Sequence, residues 1–252
     1  MNSLRRMLDV LSLIRPGQPT LDIDTICQQL GYAPASAYRY VRELNEVGML
    51  VRLPGGYALG PRIIEMDLLM RENDPLLRSS RSQLEAMAQE TGLHALLSEL
   101  YEDTVINIHQ VDGLDGHPLN FGRGRPMHLF RSATSRVILA NLSPRQLRRV
   151  FDQHADNPDL LRLGADWKAF SKAMLQIRKQ GYCLSHGELD ADKTGLAAPI
   201  FDDKKRVLGS ITLVGSHERF AAFREDFLAR KICQAAQDVT ALIGVQAVST
   251  PA

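Results

Sequence analysis

The stretch that most constrains this chain is Thr20 to Leu50, TLDIDTICQQLGYAPASAYRYVRELNEVGML. It holds two apolar stripes at helical spacing, broken at Gly31, with Pro34 placed where a second helix would open. Glycine supplies the left-handed backbone of a tight turn, and proline suits the first helical position because the N–H it lacks has no partner there. Ile23, Ile26, Cys27 and Leu30 form the first stripe, and Asp22 and Asp24 favour its start. Cys27 lies on that stripe, so packing explains it. In the second helix Ala37, Val41, Leu44 and Val47 share a side. At about 100° per residue this turns Ala35, Ser36, Tyr38, Arg39 and Arg42 outward. The pattern reads as a helix-turn-helix, whose second helix enters the DNA major groove by its N-terminal end.

The flanks extend that reading. Leu4, Met7, Leu8, Leu11 and Ile14 recur at three and four residues, giving a preceding helix with Ser3 as its expected N-cap and Pro16-Gly17 as its stop. After Gly48, expected to cap the reading helix, Met49-Leu50-Val51 and Tyr57-Ala58-Leu59 read as two short strands around Pro54-Gly55-Gly56, the wing of a winged helix. Net charge is only +1 for the whole chain. Any DNA case therefore rests on local charge: from Tyr32 to Arg62 four arginines face two glutamates. Serine, tyrosine and arginine donate to phosphates, and an arginine fork also reads guanine. So small an excess suits a site used in two or more copies.

From Pro61 a helical pattern runs through Ile63, Ile64, Leu68 and Leu69, is interrupted at Asn73-Asp74-Pro75, and resumes to Thr91-Gly92. Beyond it, strands are expected over 94–100 and 105–111. An irregular glycine-rich segment spans 113–124, and helices follow over 132–142, 144–151 and 167–179. Three more strands are expected over 182–184, 195–201 and 207–214, then a long final helix. This alternation implies an α+β class with helices packed on an antiparallel sheet. The expected division is residues 1–60 as a DNA-binding domain, 61–91 as linker helices and 92–252 as an effector-binding and oligomerisation domain. The 44% hydrophobic and 23% charged composition supports packed cores. Three scattered cysteines without a CxxC pair, no signal-peptide core and no long apolar run point to a reduced, cytoplasmic protein with no membrane partner.

In order along the chain, Arg6-Met7-Leu8-Asp9-Val10-Leu11, Ile26 to Leu30, Ala37-Tyr38-Arg39, Gly56 to Pro61, Pro126-Met127-His128, Ala133 to Ala140, Gly181-Tyr182, Glu188-Leu189 and Ala197-Ala198-Pro199-Ile200 make a specific series. It resembles the IclR family of bacterial transcriptional regulators over nearly the whole length. The resemblance implies a winged helix-turn-helix joined to a GAF-like sensor domain, a homodimer or tetramer on double-stranded operator DNA, and a small-molecule effector, commonly a carboxylate or aromatic acid. Carried over by position, it places the effector pocket at the loop entering the Ser132 helix, at Ser185, at Gly195, and at Thr212 and Val214. Several positions depart from the family pattern. The segment from His128 to Arg136 is two residues longer, Ser185 stands for a common acid, Gly195 for a common cysteine and Val214 for a frequent serine.

Residues bear on the ligand directly as well. Seven arginines and no acid lie between His117 and Phe151, a one-sided stretch that favours an anion. A helix opening at Ser132 would offer the N–H groups of Ser132, Ala133 and Thr134 to a carboxylate, with the Thr134 hydroxyl and Arg131 beside it. The expected DNA-binding set is Ala35, Ser36, Tyr38, Arg39, Arg42, Gly55 and Tyr57. The expected effector set is Arg131, Ser132, Ala133, Thr134, Ser185, Gly195, Thr212 and Val214. No cofactor, metal or catalytic residue is expected: Cys183, His186, Glu188, Asp190 and Asp192 match no metal shell, and Gly122-Arg123-Gly124 lacks the third glycine of a dinucleotide loop. The rival readings are a winged helix that binds protein instead of DNA and, behind it, a small-molecule enzyme.

Overall fold

The computed structural model describes residues 2–114, 119 and 121–249; part of the glycine-rich segment 113–124 therefore lies outside the described residues. The chain forms two compact units, Met1–Asp74 and Pro75–Ala252.

The first unit contains α1 (Ser3–Leu11), α2 (Ile23–Leu30), α3 (Pro34–Glu46), β1 (Leu50–Leu53), β2 (Gly56–Leu59) and α4 (Pro61–Asn73). Asn2, rather than Ser3, caps α1, its side-chain oxygen accepting from the Leu4 amide at 3.1 Å. Asp22 caps α2 by accepting from the Thr25 amide at 2.7 Å, which satisfies one of the orphan donors of the first turn. Gly31 takes φ +66° and Pro34 occupies the first turn of α3, as the pattern demanded. Val10, Leu21, Ile26, Tyr32, Ala37, Tyr40, Val41, Leu44 and Leu50 close the core. Tyr32 and Tyr40 meet edge to face at 5.8 Å, while the Tyr32 hydroxyl donates to the Arg6 carbonyl at 3.1 Å. Val47 does not join this core and is 62% exposed. The helix ends at Glu46, and Val47 is itself the C-cap residue with ψ +2°, so helical periodicity no longer sets its direction. Gly48 follows that cap at φ +77°. In α4 no residue is buried.

The second unit begins with α5 (Pro75–Thr91) and builds one antiparallel sheet from β3 (His94–Tyr101), β4 (Thr104–Val111), β5 (Cys183–His186), β6 (Lys193–Phe201) and β7 (Val207–Ser216). The order is β4-β3-β7-β6-β5. Strand alternation sends Ala95, Leu97, Leu196, Ala198, Ile200, Ile211 and Leu213 to one face, against α5 and the closing helix α11 (Glu225–Ser249). The opposite face meets α6 (Ala133–Asn141), whose Ala133, Val137 and Ile138 pack with Ala197 and Cys183. Outside α6 lie α7 (Pro144–Gln153), α8 (Pro158–Leu163) and α9 (Trp167–Gln180), joined around the fully buried Phe170. A short α10 (His217–Ala221) precedes α11. Helices thus cover both faces of the sheet, so the β6 and β7 runs read as continuously apolar.

Candidate functional site

In the first unit, Ala35, Tyr38, Arg39 and Arg42 of α3 join Arg52 and Tyr57 of the hairpin and Asn45 around one concave surface. The hydrophobic stripe fixes this arrangement: with Ala37, Tyr40, Val41 and Leu44 inward, the intervening positions face out. Tyr38 is 60% exposed. The Arg39 guanidinium lies 5.2 Å over the Tyr40 ring, while Arg42 sits 3.1 Å from Glu43 and 3.7 Å from Glu46. Such exposed pairs are worth little and exchange readily for a phosphate. Ser36 is half-buried, and neither it nor Gly55 lines this surface. Asn45 and Arg52 stand outside the expected set. They follow from the same geometry, Asn45 lying seven residues beyond Tyr38 on the helix and Arg52 pairing across the hairpin with Tyr57.

Leu53 pairs with Gly56, leaving Pro54-Gly55 as a two-residue turn with Gly55 at φ +92°. Proline followed by a positive-φ glycine is the type II preference. Leu21 ties the hairpin to the helices, exchanging two backbone hydrogen bonds of 2.8 Å with Tyr57.

In the second unit a cavity of about 30 Å³ lies on the α6 side of the sheet. Ser132, Ala133 and Thr134, Ser185, Gly195, Thr212 and Val214 all line it, brought together from the first turn of α6 and three different strands. Leu96, Phe121, Met127, Glu188, Leu189, Lys193 and Thr194 complete the wall. Ser132 is the N-cap, its hydroxyl oxygen accepting from the Ser135 amide at 2.9 Å. The Thr134 and Thr212 hydroxyl oxygens are 2.9 Å apart. Whichever donates, the other retains a proton for a ligand. A Cβ at Gly195 would stand 3.3 Å from the Ser185 hydroxyl and 3.9 Å from the Ala133 methyl, so any side chain here takes space from the cavity.

Residues 3–54 match the family described as the IclR helix-turn-helix domain, and residues 70–241 match the bacterial transcriptional regulator IclR C-terminal family. The chain belongs to the IclR family. Among relatives, the regulator KipR of Bacillus subtilis is 25% identical over 232 residues, covering 90% of this chain and 91% of KipR. KdgR of Escherichia coli is 21% identical, covering 89% and 86%. An IclR homolog from Microbacterium hydrocarbonoxydans, solved with 4-hydroxybenzoate, superposes with TM-score 0.78 at 21% identity over 96% of this chain and 99% of that one. The IclR regulator of Alicyclobacillus acidocaldarius gives 0.78 at 23% identity over 96% and 98%. These relatives are named as transcriptional regulators and not as enzymes, and this chain is likewise a DNA-binding transcriptional regulator.

Within the α6 cavity the charge differs from expectation. Arg131 does not line the cavity; the lining cation is Lys193, the first residue of β6. Alternation puts Lys193 on the same face of the sheet as Gly195 and Ala197. Its side chain is 7% exposed, and its ammonium makes no hydrogen bond among the described residues. The nearest carboxylate, Asp192, is 3.7 Å away and 71% exposed. Three of the seven arginines of the one-sided stretch pair with acids from outside it: Arg136 with Glu188 of the cavity wall at 2.8 Å, Arg148 with Asp152 at 2.9 Å, Arg149 with Asp103 at 2.5 Å. The amide of Ser132 is also taken, donating to the His128 carbonyl at 3.3 Å, so Ala133 and Thr134 supply the amides without a partner among the described residues. Burial pushes the neighbouring Cys183 thiol up to about 11, with Arg136 lowering it and Glu188 raising it. Among the described residues no group of three His, Cys, Asp or Glu side chains is placed to hold a metal ion, and no helix is long and apolar enough to cross a membrane.

Proposed function

We propose that this regulator binds a pseudo-palindromic operator as a homo-oligomer, through Ala35, Ser36, Tyr38, Arg39, Arg42, Gly55 and Tyr57, and that a small carboxylate in the α6 cavity modulates that binding. The helices over 61–91 link reader and sensor. What supports the DNA surface is the single concave face that α3 shares with the hairpin. Lys193 carries the effector reading: a buried ammonium without a hydrogen-bond partner faces a cavity that also contains the first turn of α6. A carboxylate placed between them meets an opposite charge, two free amides and a hydroxyl proton. The 4-hydroxybenzoate of the Microbacterium relative is a ligand of that chemical kind. At about 30 Å³ the cavity holds little more than two waters. Entry of a larger effector therefore displaces cavity walls, so it favours a widened sensor domain over the present one, the differential affinity that any coupling to DNA requires.

The experiment is duplex binding against salt for the wild type, Arg39→Ala and Arg42→Ala. Removing an arginine from one phosphate lowers the log–log salt slope by about 1, and removing it from a base edge costs about 1–3 kcal/mol of discrimination. Unchanged affinity and slope in both variants would remove α3 as the reading helix.

A further inference from the structure

A second cavity, of about 290 Å³, lies on the other face of the same strands, between the β5–β6 edge, α10 and the start of α11. We infer that it is a separate ligand site for a small aromatic or aliphatic amine. The alternation that sends Ser185 and Gly195 toward the α6 cavity sends Leu184, His186 and Leu196 here, so the two sites sit back to back across the sheet.

The body of the site is apolar, formed by Leu184, Leu196, Phe220, Phe223 and Leu228. Its polar end is ordered. His217 Nε2 is 2.9 Å from the Ala191 carbonyl, which only accepts, so this nitrogen carries the hydrogen. In the neutral ring Nδ1 then accepts from the buried Thr194 hydroxyl at 2.7 Å. The Thr194 oxygen accepts in turn from His186 Nδ1 at 3.1 Å. That order consumes both nitrogens of His217 and leaves His186 Nε2 as an acceptor. Glu225, which accepts from the Tyr182 hydroxyl at 3.2 Å, adds a carboxylate that has no cationic partner among the described residues.

Spare capacity at this end is thus acceptor-only and negative, opposite to the Lys193 cavity. An ammonium on a short apolar body satisfies it, whereas a carboxylate would meet Glu225 at like charge. The volume sits at the lower limit of small-molecule sites, suiting one ring or a short chain.

The test titrates the full chain calorimetrically with 2-phenylethylamine and with its charge-reversed counterpart, 3-phenylpropionate. Saturable amine binding is expected, weakened about ten-fold in Glu225→Gln, abolished in Ala221→Trp, which fills the cavity from an exposed position, and unchanged in Lys193→Met. Any phenylpropionate binding should survive Ala221→Trp. The inference is overturned by the absence of saturable amine binding, by amine binding that survives Ala221→Trp, or by phenylpropionate binding as tightly at the Trp-sensitive site. It is overturned equally if Ala221→Trp changes the sedimentation coefficient while the wild type binds no amine, since the cavity is then an interface between copies. Loss of carboxylate binding alone, in Lys193→Met, would bear only on the α6 cavity.

Discussion

Thr134 and Thr212 hold their hydroxyl oxygens 2.9 Å apart although 78 residues separate them in the chain. Both are at most 2% exposed, one on the first turn of α6 and the other in the middle of β7. Valine at 212 keeps the shape and leaves the Thr134 hydroxyl buried without its partner, which costs about 1–3 kcal/mol. Removing both hydroxyls strands neither. Chemical denaturation of Thr212→Val, Thr134→Val and the double variant should therefore show the double variant losing less than the sum of the two. Simple additivity would mean that this pair does not couple helix to sheet.

Lys193→Met tests stability against binding in one substitution. An ammonium that is 7% exposed and without a hydrogen bond is expensive to bury, and methionine fills a similar volume at no such cost. The variant should be more stable by about 1–2 kcal/mol while its affinity for a small carboxylate such as benzoate falls about ten-fold or more. A destabilised variant with undiminished carboxylate affinity would refute the assignment of Lys193 as the counter-charge.

The two glycines of the wing should respond differently to alanine. At Gly55 an added Cβ meets nothing within 4 Å, so only the φ of +92° is penalised, about 1 kcal/mol. At Gly56, with φ +145°, the Cβ would stand 2.4 Å from the Leu21 carbonyl oxygen, the acceptor of the Tyr57 amide. Gly56→Ala should cost more than about 2 kcal/mol by thermal melting of the full chain and abolish operator binding, whereas Gly55→Ala should fold normally. Equal effects would contradict the observed hairpin turn.

The helix-turn-helix is legible because its signals are local: periodicity, a left-handed glycine and a proline at the first helical turn all lie within about thirty residues. The strands are legible one by one, but not the order that sets β3 beside β7, because pairing between segments so distant in the chain leaves no local mark. Arg131 is a natural choice in a stretch with no acids. Three compensating charges, Asp103, Asp152 and Glu188, lie outside that stretch and offset part of it only in three dimensions. Lys193 has a signal of its own, since it lies two residues before Gly195 and thus on the same face of a strand. A β6 expected to begin at Gly195 itself hides that signal. Helices α8 and α10, of six and five residues, are too short for periodicity to register.

Cys183 gives a pH dependence with a defined sign. Its folded thiol titrates at about 11 against an ordinary 9.0, chiefly through burial. The folded state therefore holds its proton where the unfolded chain has released it, so this contribution is fully present below pH 9 and lost as pH rises toward 11. The loss is at most about 2–3 kcal/mol. Denaturation midpoints at about pH 8 and about pH 11 should fall further apart in the wild type than in Cys183→Ala. Identical pH slopes would show that burial of this thiol does not reach the stability.

The helix α4 makes the last prediction, about assembly. A thirteen-residue helix is marginal in water by itself, and α4 buries none of its residues within the chain. Ile64 is 74% exposed, and Leu68, Leu69 and Met70 are each exposed by more than half. These positions are not confined to one stripe, the pattern of a helix enclosed on more than one side. The expected cover is a second copy: two such helices would bury each other's apolar side chains, at roughly 25 cal/mol for each Å² removed from water. Ile64→Glu with Leu69→Glu places charges in that contact. Analytical ultracentrifugation should show the wild type as a dimer or larger and the double variant as a smaller species, with operator affinity lost alongside because a single winged helix of local charge +2 binds weakly. An unchanged sedimentation coefficient with intact operator binding would move the oligomer contact away from α4.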